Sequence, residues 1–255
     1  MKLVRYRFKK KKEIFYGEFK DGRIYKIFGD VYKDNFLSSK KGFKKRDIVI
    51  MPPCIPSKII ALAINYEGAT GQTSKMLEPL VFLKSPNSIV LGNKKIKIPF
   101  KSNTWGESEL GFVVKKDIKR KINIKEAKKY IFGFLPVNDL SCDNIENRDH
   151  HLARSKSADG FCPLGNYIDT SFDYKNKKIK AFHNRILLRE GNTNQMLWKP
   201  EKILSWLSSW MTLNVGDLVI TGTPSRIRKK MFLKKNDSFT VKIEGFPDLV
   251  SSFHE

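Results

Sequence analysis

Trp105-Gly106-Glu107-Ser108-Glu109-Leu110-Gly111-Phe112-Val113-Val114 places two carboxylates, two residues apart, at the head of an apolar run. In an extended strand the side chains at i and i+2 leave the same face, so Glu107 and Glu109 aim their oxygens at one point. A second apolar run, residues 130–137, stops just before Asp139 in Pro136-Val137-Asn138-Asp139-Leu140-Ser141. If the two runs are neighbouring strands, Asp139 completes an all-oxygen set, which suits Mg²⁺, Mn²⁺ or Ca²⁺ better than Zn²⁺. The opposing reading, three solvated acids on strand ends, stays open at this point because Glu-x-Glu is a common pattern and oxygen-ligand sites have no strict code.

Outward from this pair, residues 58–64 and 80–83 read as further strands. Helical spacing is clearest over 124–129 and over 200–213, where Ile203, Trp206, Leu207 and Trp210 recur on one face and are expected in the core. Residues 14–19 and 22–28 are short alternating runs around a Gly, the pattern of a small hairpin-based appendage. Met51-Pro52-Pro53-Cys54-Ile55-Pro56 is a proline-rich stop, so the expected division is a small N-terminal domain, 1–52, and a main domain, 53–255.

A chain of 255 residues with 40% hydrophobic content can bury one sizeable core. The net charge of +23 raises the question of nucleic acid. The lysines and arginines are spread through nearly every segment, however, and no zinc finger, aromatic RNA-binding strand or basic heptad accompanies them. The charge is read as compositional bias that also attracts anionic substrates. Three cysteines, 54, 142 and 162, lack paired spacing and indicate neither a disulfide framework nor a thiolate metal site. The opening residues lack a signal-peptide core and no apolar run reaches membrane-spanning length, so a cytoplasmic protein without membrane contact is expected.

The ordered motifs then carry a resemblance. Pro56-Ser57-Lys58-Ile59-Ile60-Ala61 leading to Asn65-Tyr66, Glu78-Pro79-Leu80-Val81-Phe82-Leu83-Lys84, Glu107-Ser108-Glu109-Leu110 and Asn138-Asp139-Leu140-Ser141 come first. They are followed by Lys156-Ser157-Ala158-Asp159-Gly160, Gly191-Asn192-Thr193 and Thr221-Gly222-Thr223-Pro224. Together they resemble the fumarylacetoacetate hydrolase family over roughly residues 52–255. Residues 1–52 look like the small N-terminal domain of many bacterial members. Glu244-Gly245-Phe246-Pro247 is similar to the hydroxyhepta-diene-dioate isomerase branch.

The resemblance implies an α+β, mostly β fold, a mixed β-roll, usually as a homodimer. It implies Mg²⁺ or Mn²⁺ on Glu107, Glu109 and Asp139, and a small anionic 2-oxo or 2-hydroxy acid as substrate, with the ion stabilising an enolate. Lys156 matches the family lysine beside the substrate and is the expected catalytic cation. Lys84, Tyr66, Gly222 and Thr223 form the expected substrate-binding set. Two departures matter. Family hydrolases and decarboxylases carry a His and, three residues on, a Glu after Asn-Tyr, and the pair activates water; this chain has Ala69 and Gln72 there. After Asp139 the family commonly has an arginine and, three residues further, a glutamine; this chain has Asp143 and Glu146, with Arg148, Arg154 or His150 able to refill the site from the same loop. Arg148 is the substrate-binding candidate among these.

An isomerase or tautomerase acting on an unsaturated 2-oxo or 2-hydroxy (di)carboxylate is therefore expected, since proton shifts need no activated water. The alternatives are a C–C hydrolase or decarboxylase of acylpyruvate-like substrates, with Glu67 as a substitute base, and a catalytically silent small-molecule binder.

Overall fold

The long sheet that carries the two acidic runs has 13 strands among the described residues. The computed structural model describes residues 1–33, 35–69 and 77–254, the side chain of residue 145 excepted. From one edge the sheet runs through strands Leu37–Lys44, Arg23–Phe28, Ile14–Lys20, Lys2–Phe8 and Ile168–Asp169. It continues through Ile131–Asn138, Ser108–Val114, Leu218–Ile220, Ile59–Leu62 and Val81–Lys84. A second sheet of five strands, ordered Ile186–Asn192, Lys178–His183, Ser238–Ile243, Leu249–His254 and Lys95–Lys97, packs against it. The chain is mostly β, as the resemblance implies.

Ser108–Val114 is buried along its whole length, and this explains its unbroken apolar character: a strand covered on both faces has no reason to alternate. Leu110, Phe112 and Val114 join Ile179, Ala181, Phe239 and Val241 of the second sheet in one core cluster. Val113 joins Ile59, Leu135 and Ile220 in another. Its antiparallel neighbour Ile131–Asn138 places Ser108 opposite Asn138 and Glu109 opposite Val137, so the acidic ends of the two strands coincide.

The alternating runs near the N-terminus form the hairpin Ile14–Lys20 and Arg23–Phe28. It closes through Asp21 and Gly22, both with positive φ (49° and 71°), the turn that matches strand twist. Lys2–Phe8 pairs with Ile14–Lys20, with Ile48–Met51 and with Ile168–Asp169, which makes the first fifty residues an extension of the long sheet.

One helix is shorter than its periodicity suggests. The helix Pro200–Leu207 buries Ile203, Leu204 and Leu207, but residues 208–213 do not continue it. The hydroxyls of Ser208 and Ser209 donate to the carbonyls of Ser205 and Trp206, and that of Ser208 also accepts from the Ile122 amide. Such local bonds compete with helix propagation. Trp210 is consequently half exposed rather than in the core. Among the described residues no helix is long and apolar enough to cross a membrane.

Candidate active site

Strand Ser108–Val114 brings Glu109 into the interior, and Glu107 stands one residue ahead of the strand's first position. Asp139 follows the last residue of Ile131–Asn138, and its amide donates to the Glu107 carbonyl at 3.0 Å. The Asn138 side chain locks this corner: its Oδ1 accepts from the Glu107 amide at 3.2 Å and its Nδ2 donates to Ser251 Oγ at 3.1 Å. Gly106 permits the approach, because a Cβ there would lie 2.8 Å from Asn138 Oδ1 and 2.7 Å from the Phe239 ring. The outcome is that ligand oxygens of Glu107, Glu109 and Asp139 lie within 4.8 Å of one another.

Glu109 and Asp139 are 1% exposed, so the cluster needs positive charge nearby. Lys84, at the end of strand Val81–Lys84, donates to Asp139 Oδ1 at 2.6 Å and to the Leu140 carbonyl at 3.2 Å. Lys156, on the short helix Ala153–Ser157, donates to Asp139 Oδ2 at 2.5 Å and stands 3.6 Å from Glu107 Oε2. Arg189, on strand Ile186–Asn192 of the second sheet, donates to Glu107 Oε1 at 2.8 Å and to the Pro224 carbonyl at 2.5 Å. Glu109 has a different partner. The Gly222 amide donates to its Oε2 at 2.5 Å, in a turn where Gly222 has φ +84° and a Cβ would meet Asn65 Cβ at 3.0 Å.

These contacts set the protonation states. Burial, reinforced by Asp139 and Glu107, pushes the Glu109 carboxyl well above the usual carboxylate range. Burial also acts to raise Asp139, but Lys156 and Lys84 more than offset it and hold the carboxyl below its ordinary value. Burial acts to lower Lys156, yet Asp139 and Glu107 outweigh it and push the ammonium up to about 12. Burial lowers Arg189 despite the opposing pull of Glu107.

The residues picked out from the sequence fall into two groups. Glu107, Glu109, Asp139, Lys84, Lys156 and Gly222 converge on one point. Thr223 is next to them and lines, with Ala69, Glu107, Arg189, Ser225 and Arg226, a cavity of about 120 Å³. Tyr66 is fully buried; its hydroxyl makes no hydrogen bond with the described residues, and burial together with nearby Glu109 pushes it up. Arg148 is elsewhere: its guanidinium is exposed and pairs with Glu146 at 2.6 Å. Glu67 is also exposed, bonded through its backbone to Gln195 and Ser225, and no described contact brings its carboxylate to the triad. Asp143 turns to Asn103, Arg154 covers the Phe100 ring, and His150 lines a second cavity, with Phe82 and Ser85, that extends to Lys84 and Ala63. Gln72 lies outside the described residues. Arg189 has no local signal in the sequence, where Arg189-Glu190 reads as a solvated pair; only its burial and its reach to Glu107 reveal it.

The family profile described as fumarylacetoacetate hydrolase C-terminal matches residues 58–254. The chain belongs to the fumarylacetoacetate hydrolase family. It is 33% identical over 211 residues to a mitochondrial oxaloacetate tautomerase of Xenopus laevis, covering 77% of this chain and 65% of that protein. The chain thus spans about two thirds of that relative's length. It is also 31% identical over 229 residues to an uncharacterized protein of Archaeoglobus fulgidus, covering 88% and 89% of the two chains. Among solved structures, 2-hydroxyhepta-2,4-diene-1,7-dioate isomerase from Mycobacterium marinum superposes with a TM-score of 0.86 at 25% identity, over 100% of this chain and 98% of that one. The family is one of enzymes, isomerases and hydrolases among them.

Proposed function

We propose that this protein is an isomerase or tautomerase of 2-oxo or 2-hydroxy acids that works with a divalent cation. The observation that carries the reading is the convergence of three carboxylates and one partly open lysine next to a cavity that Glu107 lines and where Ala69 offers no base. The donor set fits a hard cation: it is all oxygen, it is buried, and its acids are crowded enough to raise Glu109. Glu107, Glu109 and Asp139 would hold such an ion, whose contribution when bound is Lewis-acid polarisation of a 2-oxo carboxylate.

The chain's own groups supply the rest. Lys156 keeps 12% of its side chain exposed and Lys84 none, so Lys156 is the ammonium that can meet a substrate. There it offers N–H donors and positive charge where negative charge develops on the 2-oxygen as a proton leaves the adjacent carbon. Thr223 offers a hydroxyl from the cavity wall. Ala69, in place of a His, supplies no base to activate water, which favours proton transfer within the substrate over C–C hydrolysis. The similarity to an oxaloacetate tautomerase and to a hydroxyhepta-diene-dioate isomerase supports this reading.

The test follows keto–enol interconversion of a panel of 2-oxo acids by the purified protein with Mg²⁺ or Mn²⁺. Interconversion should vanish with chelator and with Glu109→Gln. Lys156→Met should weaken substrate binding roughly tenfold to a hundredfold, the worth of a charge-assisted contact. Robust acylpyruvate hydrolysis without keto–enol exchange would sink the proposal.

A further inference from the structure

Arg189 and Arg226 are paired residues of an antiparallel bridge, reinforced by the Ile227 amide donating to the Leu188 carbonyl at 2.9 Å. Directly opposed residues in such a pair project from one face with Cβ atoms about 4.5–5.5 Å apart, and like charges there are destabilising. Here both side chains line the cavity beside Glu107. Lys230, stacked 3.0 Å over the Trp105 ring, is close enough to feel the charges of Asp143, Arg226, Glu107 and Arg189. Glu107 is already engaged with Arg189, and Arg226 makes no ion pair among the described residues. Asp143 answers Lys230 and Glu107 answers Arg189, which leaves the exposed Arg226 as the cavity's cation without an ion pair among the described residues.

A second, independent feature points the same way. Thr223 Oγ1, in the same cavity wall, is a buried hydroxyl with no hydrogen-bond partner among the described residues. A buried donor left unmade costs free energy unless a ligand completes it. The loop after Asp139 offers no competing anion site, since Asp143 and Glu146 are acidic and are held by Asn103 and Arg148.

We infer that Arg226, with the Thr223 hydroxyl, binds the second carboxylate of a short 2-oxo dicarboxylate whose first carboxylate lies at the triad. This rests on the function proposed above and assigns its specificity. The cavity of about 120 Å³ beside Glu107 has room for a carboxylate on a short linker. Arg189 is a positioning residue here: it fixes Glu107 and the Pro224 carbonyl and so sets where the Arg226 segment runs.

The experiment is calorimetric binding in Mg²⁺, which needs no turnover. Two pairs of matched carbon skeleton, 2-oxoglutarate against 2-oxopentanoate and oxaloacetate against 2-oxobutanoate, differ by a distal carboxylate in place of a methyl group. Oxalate serves as a probe with no distal group. The diacid of at least one pair should bind about tenfold to a hundredfold more tightly than its partner, as a charge-assisted contact implies. Arg226→Gln should remove that preference while shifting oxalate affinity less than about threefold, and Arg226→Lys should restore part of it. Equal binding within both pairs, or equal weakening of oxalate and diacid by Arg226→Gln, overturns the inference and leaves the function standing. Failure of every 2-oxo acid and of oxalate to bind overturns the proposed function, and the inference with it.

Discussion

Lys84→Met separates the lysine's electrostatic role from a merely steric one. The ammonium is fully buried, 2.6 Å from Asp139 Oδ1. Removing one partner of a buried pair typically costs about 3–5 kcal/mol. Asp139 keeps Lys156 at 2.5 Å on its other oxygen, which favours the lower end, about 3 kcal/mol. Methionine fills much of the vacated volume, so little is added for a cavity. For a chain of this size each kcal/mol moves the midpoint by about 2–4 °C, so the melting temperature in chelator should fall by about 6–12 °C.

The same substitution changes what the site does to a cation. Lys84 and Lys156 on Asp139, with Arg189 on Glu107, place three positive charges against the acidic cluster. Without Lys84 the cluster gains one net negative charge and should bind Mg²⁺ more tightly, because Lys156 and the Asp139 amide bond still fix the carboxylate's position. Saturation at a hundred times Kd stabilises a protein by about 2.7 kcal/mol, and a tighter site gains more at the same Mg²⁺. Thermal melts of wild type and variant across a Mg²⁺ titration should therefore show the deficit narrowing as Mg²⁺ rises. A deficit that stays constant would mean that lysine and ion do not share Asp139. One that widens would mean that orientation by Lys84 outweighs its charge. Either result refutes the reasoning.

Gly222→Ala forces a side chain into the left-handed region at φ +84° and against Asn65, so a loss of about 1–2 kcal/mol is expected in denaturant melts, with activity falling as the Glu109 contact shifts. Asp149 accepts from the Ser155 amide and hydroxyl, each at 2.7 Å, at the start of the helix that carries Lys156. Burial acts to raise its carboxyl, but the bonds from Ser155 and Arg154 hold it below its ordinary 3.8. A depressed carboxylate stabilises above its unfolded value and loses that contribution as pH falls through its folded value. The melting-temperature advantage of wild type over Asp149→Asn should therefore be full at neutral pH and shrink below about pH 4; an advantage that persists at lower pH contradicts the assignment. Ala69→His, at the cavity wall, should add acylpyruvate hydrolysis, with a gain short of the roughly 10²–10⁴-fold of a well-positioned base. If hydrolysis assays show no gain while the variant stays folded, the missing base is not what limits that reaction.

The triad was legible because its geometry is local: Glu-x-Glu on a strand fixes two carboxylates, and the end of the next strand delivers the third through a register the apolar runs already imply. The hairpin at Asp21-Gly22 was legible for the same reason. Arg189 was not, since it lies 82 residues from Glu107 in sequence and reaches it only because the second sheet packs on the first. Arg148, adjacent to the acidic loop in sequence, drew the substrate-binding assignment instead, yet an exposed turn lets it satisfy itself with Glu146. Lys84 could be recognised as a lysine of the motif but not as fully buried, because burial of a charge depends on a partner 55 residues away.

The division of labour between the sheets explains how such a site can change its substrate while keeping its chemistry. Glu107, Glu109 and Asp139 sit on adjacent strand ends whose positions are fixed by pairing and by a core packed on both faces, so none can move without disturbing the sheet. The groups that face the cavity come from elsewhere: Ala69 from a loop, Arg189 from the second sheet, Thr223 and Arg226 from the segment after strand Leu218–Ile220. A substitution at exposed Arg226 or half-buried Ser225 alters what the cavity presents at little cost to the core, whereas one at buried Arg189 also frees Glu107.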